Sequence, residues 1–305
     1  MNSLSRMNRD ISSQAISNII VDKNSVSSGE DIKIIVNYND KNGKINPGDY
    51  IKIDLGNNES VTVNGYREKK GLFFKGILVG HFEVAGSEAK IIFNNQVEAF
   101  LQGSVSGFID FSAKIRNESH SNQTTSIISG GQYININIEK ESSGGTSSQF
   151  FYKTGDIQTD NLEEVRWFLI FNSVGDEYSG YIDIDDQIQN PENHKIIKES
   201  VAITRVDHIG NSKSYYGTEG LTEFNNETGS TLVFTEDSVY GEIPWDRIAH
   251  SQISINYNTK ILNPRAESFS NKVILNNSQQ IIQEENFSVK NVSANAGIIG
   301  SKKMN

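Results

Sequence analysis

At 305 residues the chain is too long for one ordinary β-sandwich and comfortable for two domains. Its net charge of −10 argues against nucleic acid and anionic membrane as main partners. Cysteine is absent, so if the chain works in an oxidising compartment, something other than a disulfide must staple it.

Hydrophobic residues make up 36% of the chain, enough to build real cores. No apolar run reaches membrane-spanning length, and Met1 to Asp10 contains no hydrophobic signal core. A soluble segment is expected, a mature or excised piece of something longer. Residues 1–10 are polar and read as a loose N-terminus. Short β-branched runs then recur at regular spacing: Ile16–Val21, Ile32–Tyr38, Tyr50–Leu55, Ser60–Val63, Ile77–Val84, Ala89–Phe93, Val105–Ile115 and Tyr133–Ile138. Turn chemistry separates them at Ser28-Gly29, Asn42-Gly43, Asn46-Pro47-Gly48-Asp49, Asn64-Gly65 and Gly130-Gly131. Several runs alternate apolar and polar residues, which is the pattern of an antiparallel sandwich with one buried face. Helical periodicity is weak, and Asn95–Leu101 reads as about one turn at most.

The stretch Glu141-Ser-Ser-Gly-Gly-Thr-Ser-Ser148 breaks the composition and has the profile of an interdomain linker. A second set of strand-like runs follows at Phe150–Lys153, Val165–Phe171, Tyr181–Asp185, Ser200–Val206, Thr231–Phe234, Gln252–Tyr257, Lys272–Leu275 and Phe287–Val292. The expected organisation is a first sandwich over 11–141, a linker over 142–148, a second sandwich over 149–290, and a small-residue tail over 291–305. Within the second half, Tyr152 precedes Lys153 and Arg166 precedes Trp167. A strand sends such neighbours to opposite faces, so one face can serve a core and the other a surface.

Asp40-Lys-Asn-Gly-Lys-Ile-Asn-Pro-Gly-Asp, Phe151-Tyr-Lys-Thr-Gly-Asp, Val165-Arg-Trp-Phe-Leu, Asp185-Asp-Gln-Ile-Gln, Ser254-Ile-Asn-Tyr and Ala294-Asn-Ala-Gly-Ile occur in this order. Together they resemble the collagen-binding adhesins of Gram-positive bacterial surfaces, the MSCRAMM group, from about Asp10 to Gly300. The resemblance implies an all-β fold of two immunoglobulin-like sandwiches of the variant called DEv-IgG, with a C-terminal latch strand. It also implies a "collagen hug", in which two domains wrap a collagen triple helix. The family's wall-anchoring repeats and sorting signal do not occur in this sequence, so a ligand-binding region is expected. Its setting would be a secreted, wall-anchored surface protein.

Three constellations follow from the resemblance. The first is an internal isopeptide crosslink between Lys153 and Asn271, assisted by Asp186. Desolvation makes a lysine a better nucleophile, and a carboxyl in an apolar core can hold and pass on a proton. Asn276 and Asn277 lie close to Asn271 and are alternatives for the acceptor. The second is a collagen-binding groove of Tyr152, Arg166, Phe168, Tyr215 and Tyr216. A collagen rod offers proline rings and exposed carbonyls, for which flat aromatic surfaces with polar tips are suited. Ile170 and Ser214 depart from the resemblance, standing where the family's best-known member has asparagine. Trp167 reads as core, and Phe168 as either core or groove. The third is the latch itself, with Asn291, Ala294, Asn295, Ala296, Gly297 and Ile298, a strand that adds to an open sheet edge.

The five histidines show no metal-ligand spacing, and Tyr181-Ile-Asp-Ile-Asp-Asp-Gln lacks the glycine and terminal glutamate of a calcium loop. The expectation is therefore an adhesin with no metal, no cofactor, no membrane insertion and no enzymatic action on an outside substrate, acting as a monomer on collagen. The alternatives are an adhesin for fibrinogen or laminin, and a structural stalk or pilus subunit without a groove.

Overall fold

The computed structural model describes residues 8–100, 103–140, 150–277 and 280–302. The expected linker over 142–148 lies outside the described residues. The chain divides into two compact units, Met1–Ser143 with Val292–Asn305, and Gly144–Asn291.

The first unit opens with a single helical turn, α1 (Ser12–Ala15), which the sequence reading did not expect. Ten strands follow: β1 (Ile16–Val21), β2 (Ser25–Ser27), β3 (Asp31–Asn39), β4 (Tyr50–Asp54), β5 (Val61–Phe74), β6 (Ile77–Gly86), β7 (Glu88–Phe93), β8 (Gly103–Asn117), β9 (Gln123–Ser129) and β10 (Gln132–Glu139). They hydrogen-bond as one continuous sheet in the order β1-β3-β8-β5-β6-β7-β4-β9-β10-β2. The sheet closes over one core that includes Ile34, Val36, Ile51, Ile53, Phe82, Ile91, Phe111 and Ile115, all essentially without exposure. Each such side chain contributes about 1.5–3 kcal/mol on burial.

Two expectations fail here for local reasons. Asn64-Gly65 is no turn, because β5 runs straight through it, pairing β8 over Val61–Gly65 and β6 beyond. Gly65 permits the crossover: a Cβ there would stand 2.3 Å from the Val84 side chain. Nor is the N-terminus loose up to residue 10. Arg9 donates twice to the buried Asp49 carboxylate, at 3.2 and 2.9 Å, and Asp10 bridges to Tyr50. Asp49 also accepts the Asn46 N–H, and Asp40 accepts the Val105 N–H and pairs with Lys44. The first quoted motif is thus a turn pinned by two buried carboxylates.

The second unit is a sandwich of two five-stranded sheets. Its strands are β11 (Phe151–Gln158), β12 (Asn161–Phe171), β13 (Tyr181–Gln189), β14 (His194–Val206) and β15 (Ser212–Tyr216). After the helix α2 (Gly217–Thr228) come β16 (Val233–Phe234), β17 (Ser238–Pro244), β18 (Gln252–Ile261), β19 (Ser268–Asn277) and β20 (Gln280–Lys290). One sheet runs β11-β12-β18-β14-β15 and the other β16-β17-β13-β19-β20. Trp167, Leu169, Ile203, Ile255, Val273 and Leu275 fill the space between them. The helix α2 carries two glycines and few apolar residues, so no helical stripe marks it in the sequence. It buries Gly220, Phe224 and Thr228 along one line and stops at Gly229, whose φ of 74° is a left-handed cap. A last strand, β21 (Asn295–Lys302), belongs to the first unit, where it pairs antiparallel with β8.

Candidate functional site

The inner face of the second sandwich carries a polar cluster in an otherwise apolar core. Lys153 on β11 and Tyr257 on β18 come from one sheet, and Asp186 on β13 and Asn271 on β19 from the other. All four are buried, and Lys153 is the only lysine or arginine to be so among the described residues. The Lys153 ammonium donates to both Asp186 carboxylate oxygens, at 2.8 and 3.0 Å. The Tyr257 hydroxyl donates to Asp186 Oδ2 at 2.6 Å and accepts from Asn271 Nδ2 at 2.5 Å. Asn271 Oδ1 is buried with no partner. The ammonium also lies 5.4 Å from the Trp167 ring centroid and 5.9 Å from that of Tyr257. Burial pushes the Lys153 pKa below its ordinary value, against the opposing pull of Asp186. A depressed lysine, a carboxylate that can take its proton, and an amide with an unsolvated carbonyl are the ingredients of intramolecular amide transfer. Asn276 and Asn277 lie at the far end of β19, whereas Asn271 faces the core opposite Ile188.

The outer face of the same sheet is set by strand parity. Across the register, Tyr152, Ile170, Ser254, Thr204 and Ser214 form one row, and Thr154, Phe168, Asn256, Ala202 and Tyr216 the next. These side chains are half-buried, and Tyr216 is 71% exposed. Arg166 is held by a bidentate pair with Asp156, at 2.8 and 2.7 Å, and its guanidinium lies 5.3 Å from the Phe168 ring centroid. The face therefore presents flat apolar groups flanked by hydroxyls and amides. Tyr215 is not part of it, which corrects the sequence reading. It is one residue out of phase with Tyr216, only 2% exposed, and packs edge-on against Phe224 of α2 with ring centroids 5.3 Å apart. Its hydroxyl donates to Glu227, and burial raises its pKa to about 12. Trp167 is buried, its indole N–H donating to Thr259 at 3.1 Å.

The tail supplies a third feature, confined to the first unit. The strand β5 leaves β8 at Gly65, which frees the edge of β8 over 103–110, and β21 fills that edge from Asn295↔Asp110 to Lys302↔Gly103. Ala294, Ala296 and Ile298 alternate inward onto the core, and Lys70 donates to the Ala294 carbonyl at 2.7 Å. Close packing demands glycine twice here. A Cβ at Gly107 would stand 2.3 Å from the Tyr38 ring, and one at Gly297 would stand 2.6 Å from the Phe108 ring. Asn291 takes no part in this strand, contrary to expectation. Its N–H donates to Glu267 O, and its side-chain amide to Pro264 O and Ala266 O, all within the second unit.

No protein-family model matches the chain. A curated relative does: the chain is 34% identical to a collagen adhesin of Staphylococcus aureus in an alignment 313 residues long, which covers 97% of this chain and 25% of that protein. The crystal structure of collagen adhesin from S. aureus superposes with a TM-score of 0.88 at 31% identity, covering 98% of this chain and 100% of that one. This chain belongs to the collagen-adhesin family. The fold is shared more widely. The Enterococcus faecalis MSCRAMM ACE, whose structure is described as binding its ligands by the collagen hug, matches with a TM-score of 0.69 at 22% identity. That match covers 94% of this chain and 98% of that one.

Within this collagen-adhesin chain, sequence reasoning overlooked Tyr257 and the outer-face residues Ser254 and Asn256, although all three lie in a motif it had quoted. The alternation of the run Gln252–Tyr257 held the signal. With Ile253 and Ile255 inward, Tyr257 must enter the core, while Ser254 and Asn256 join Phe168 outside.

Proposed function

We propose that this chain is the ligand-binding region of a bacterial surface adhesin and binds the collagen triple helix. The observation that carries the reading is the outer face of β11-β12-β18-β14-β15. There Tyr152, Phe168 and Tyr216 share one side of the sheet with Ile170, Ser254, Asn256 and Ser214. Aromatic faces suit proline rings, and the hydroxyls and amides suit the carbonyls that a triple helix leaves exposed. Arg166, neutralised by Asp156, serves as a flat wall beside Phe168. Binding follows the hug: the two units close around the rod, and β21 docks on β8 as the latch, so that closure chiefly slows dissociation. The Lys153–Asn271 isopeptide bond, with Asp186 assisting, staples the second sandwich where a disulfide would otherwise serve. The chain acts as a monomer displayed at a Gram-positive surface.

Binding to an immobilised triple-helical peptide tests the groove. Phe168→Ala and Tyr216→Ala each remove a central aromatic contact and are expected to weaken binding by about 2 kcal/mol, some thirtyfold, with folding intact. Tyr133→Ala, at an exposed site of the first unit, is the control that leaves binding unchanged. Tyr215→Ala should instead destabilise the second unit by about 3–5 kcal/mol, the usual cost of emptying a buried aromatic site. Parent-like binding by both Phe168→Ala and Tyr216→Ala would sink the assignment of this face.

A further inference from the structure

We propose that the Tyr257 hydroxyl is the proton relay of the crosslinking reaction, carrying a proton from Asp186 to the departing nitrogen of Asn271. The inference rests on the crosslink reading and assigns a residue that this reading left without a role. The geometry is specific. The described hydrogen bonds include none between Asp186 and Asn271, yet both bond to the same hydroxyl, at 2.6 Å on the carboxylate side and 2.5 Å on the amide side. Tyr257 Oη therefore touches the atom that must leave. A hydroxyl can donate on one side while accepting on the other and can reverse that direction without a net change of charge. Bulk water does not reach the cluster, since Lys153, Asp186, Tyr257 and Asn271 have at most 4% exposure. A phenol well above its ordinary pKa, through burial and the neighbouring carboxylate, also stays protonated and works as a relay rather than a base.

The steps balance. At the start Lys153 is an ammonium and Asp186 a carboxylate, as their contact implies. One proton passes from Nζ to Asp186, which leaves a neutral amine. The amine's electron pair attacks Cγ of Asn271, and the carbonyl π pair moves onto Oδ1, the atom that lacks a partner in the resting structure. The attacked carbon becomes tetrahedral, so Nδ2 loses amide conjugation and gains a basic lone pair. Tyr257 then gives its proton to Nδ2 and takes the one held by Asp186 on Oδ2. The electron pair on Oδ1 re-forms the carbonyl, the Cγ–Nδ2 bond breaks, and Nδ2 leaves as ammonia. Nζ returns a second proton to Asp186 as the new amide forms. Five protons, three on Nζ and two on Nδ2, end as one on the new amide, three on ammonia and one on Asp186, with no change in net charge.

The test is intact mass over time on the full chain, read on the protease-resistant fraction so that only folded molecules count. The wild type is expected to be lighter than its sequence by one ammonia when isolated. Tyr257→Phe, which deletes one oxygen, is expected to be isolated at full mass and to lose ammonia on the order of 10²-fold more slowly. Its thermal transition should match that of Asn271→Ala, a folded chain that cannot crosslink. A Tyr257→Phe chain that is already one ammonia light at isolation would overturn the relay and leave the crosslink standing. A wild-type chain at full mass would overturn the crosslink reading, and the relay with it.

Discussion

Asn271→Ala isolates what the proposed crosslink would contribute to stability. The substitution removes the acceptor and leaves Lys153, Asp186 and Tyr257 in contact, so no charge is stranded in the core. In the crosslinked wild type Nδ2 has already left as ammonia, so its hydrogen bond to Tyr257 is not among the losses, and the substitution removes the new amide and the link it makes. With the Lys153–Asp186 pair kept in the variant, the main difference from a crosslinked wild type is the covalent link. A bond from Lys153 to Asn271 closes a loop of about 120 residues in the unfolded chain, and the chain-entropy relation gives about 5 kcal/mol for a loop of that length. For a unit of roughly 150 residues each kcal/mol moves the midpoint by about 3–4 °C, so the expected fall is roughly 15 °C or slightly more. Scanning calorimetry should show it in one transition only. The first unit contains no buried lysine among the described residues, and its melting should not move. If the wild type proves one ammonia light and Asn271→Ala still melts within about 2 °C of it, the loop-closure reasoning is refuted.

Two further outcomes follow from the packing. Gly297→Val places side-chain atoms against Phe108, where even a Cβ would stand 2.6 Å from the ring. β21 should then dock poorly, and dissociation from triple-helical peptide, followed by surface plasmon resonance, should quicken several-fold with little change in association. An unchanged dissociation rate would remove β21 from the binding cycle. His194 is buried beside Trp167 and Phe269, and burial lowers its pKa below the usual value near 6.5. The unfolded chain therefore takes up the proton first. Stability from this group is complete above about pH 6.5 and declines as pH falls towards the folded-state value. Denaturant melts across that window should show the slope, and His194→Gln should flatten it; an equal slope in the variant would assign the effect to other groups.

Much was legible in the sequence because strands declare themselves locally. A period of two, β-branched residues and glycine-rich turns depend only on neighbours in the chain, so most strands of both units and the all-β class could be read directly. Lys153, Asp186 and Asn271 were reachable through motifs, but their meeting was not. They lie on three strands of two sheets, and only the stacking of those sheets puts the ammonium 2.8 Å from the carboxylate. The same holds for Tyr257, whose role depends on the two groups it touches. Local signals misled where the answer depended on a distant partner. Asn64-Gly65 has turn chemistry, yet β5 continues through it because β8 and β6 supply hydrogen bonds on either side. α2 has almost no helical pattern, and it forms because Phe224 finds Tyr215 beneath it. That contact also decides between adjacent tyrosines. Alternation dictates that Tyr215 and Tyr216 face opposite ways, but which of them faces the core is set by the register of β15 on β14, a long-range choice in which one step exchanges every face.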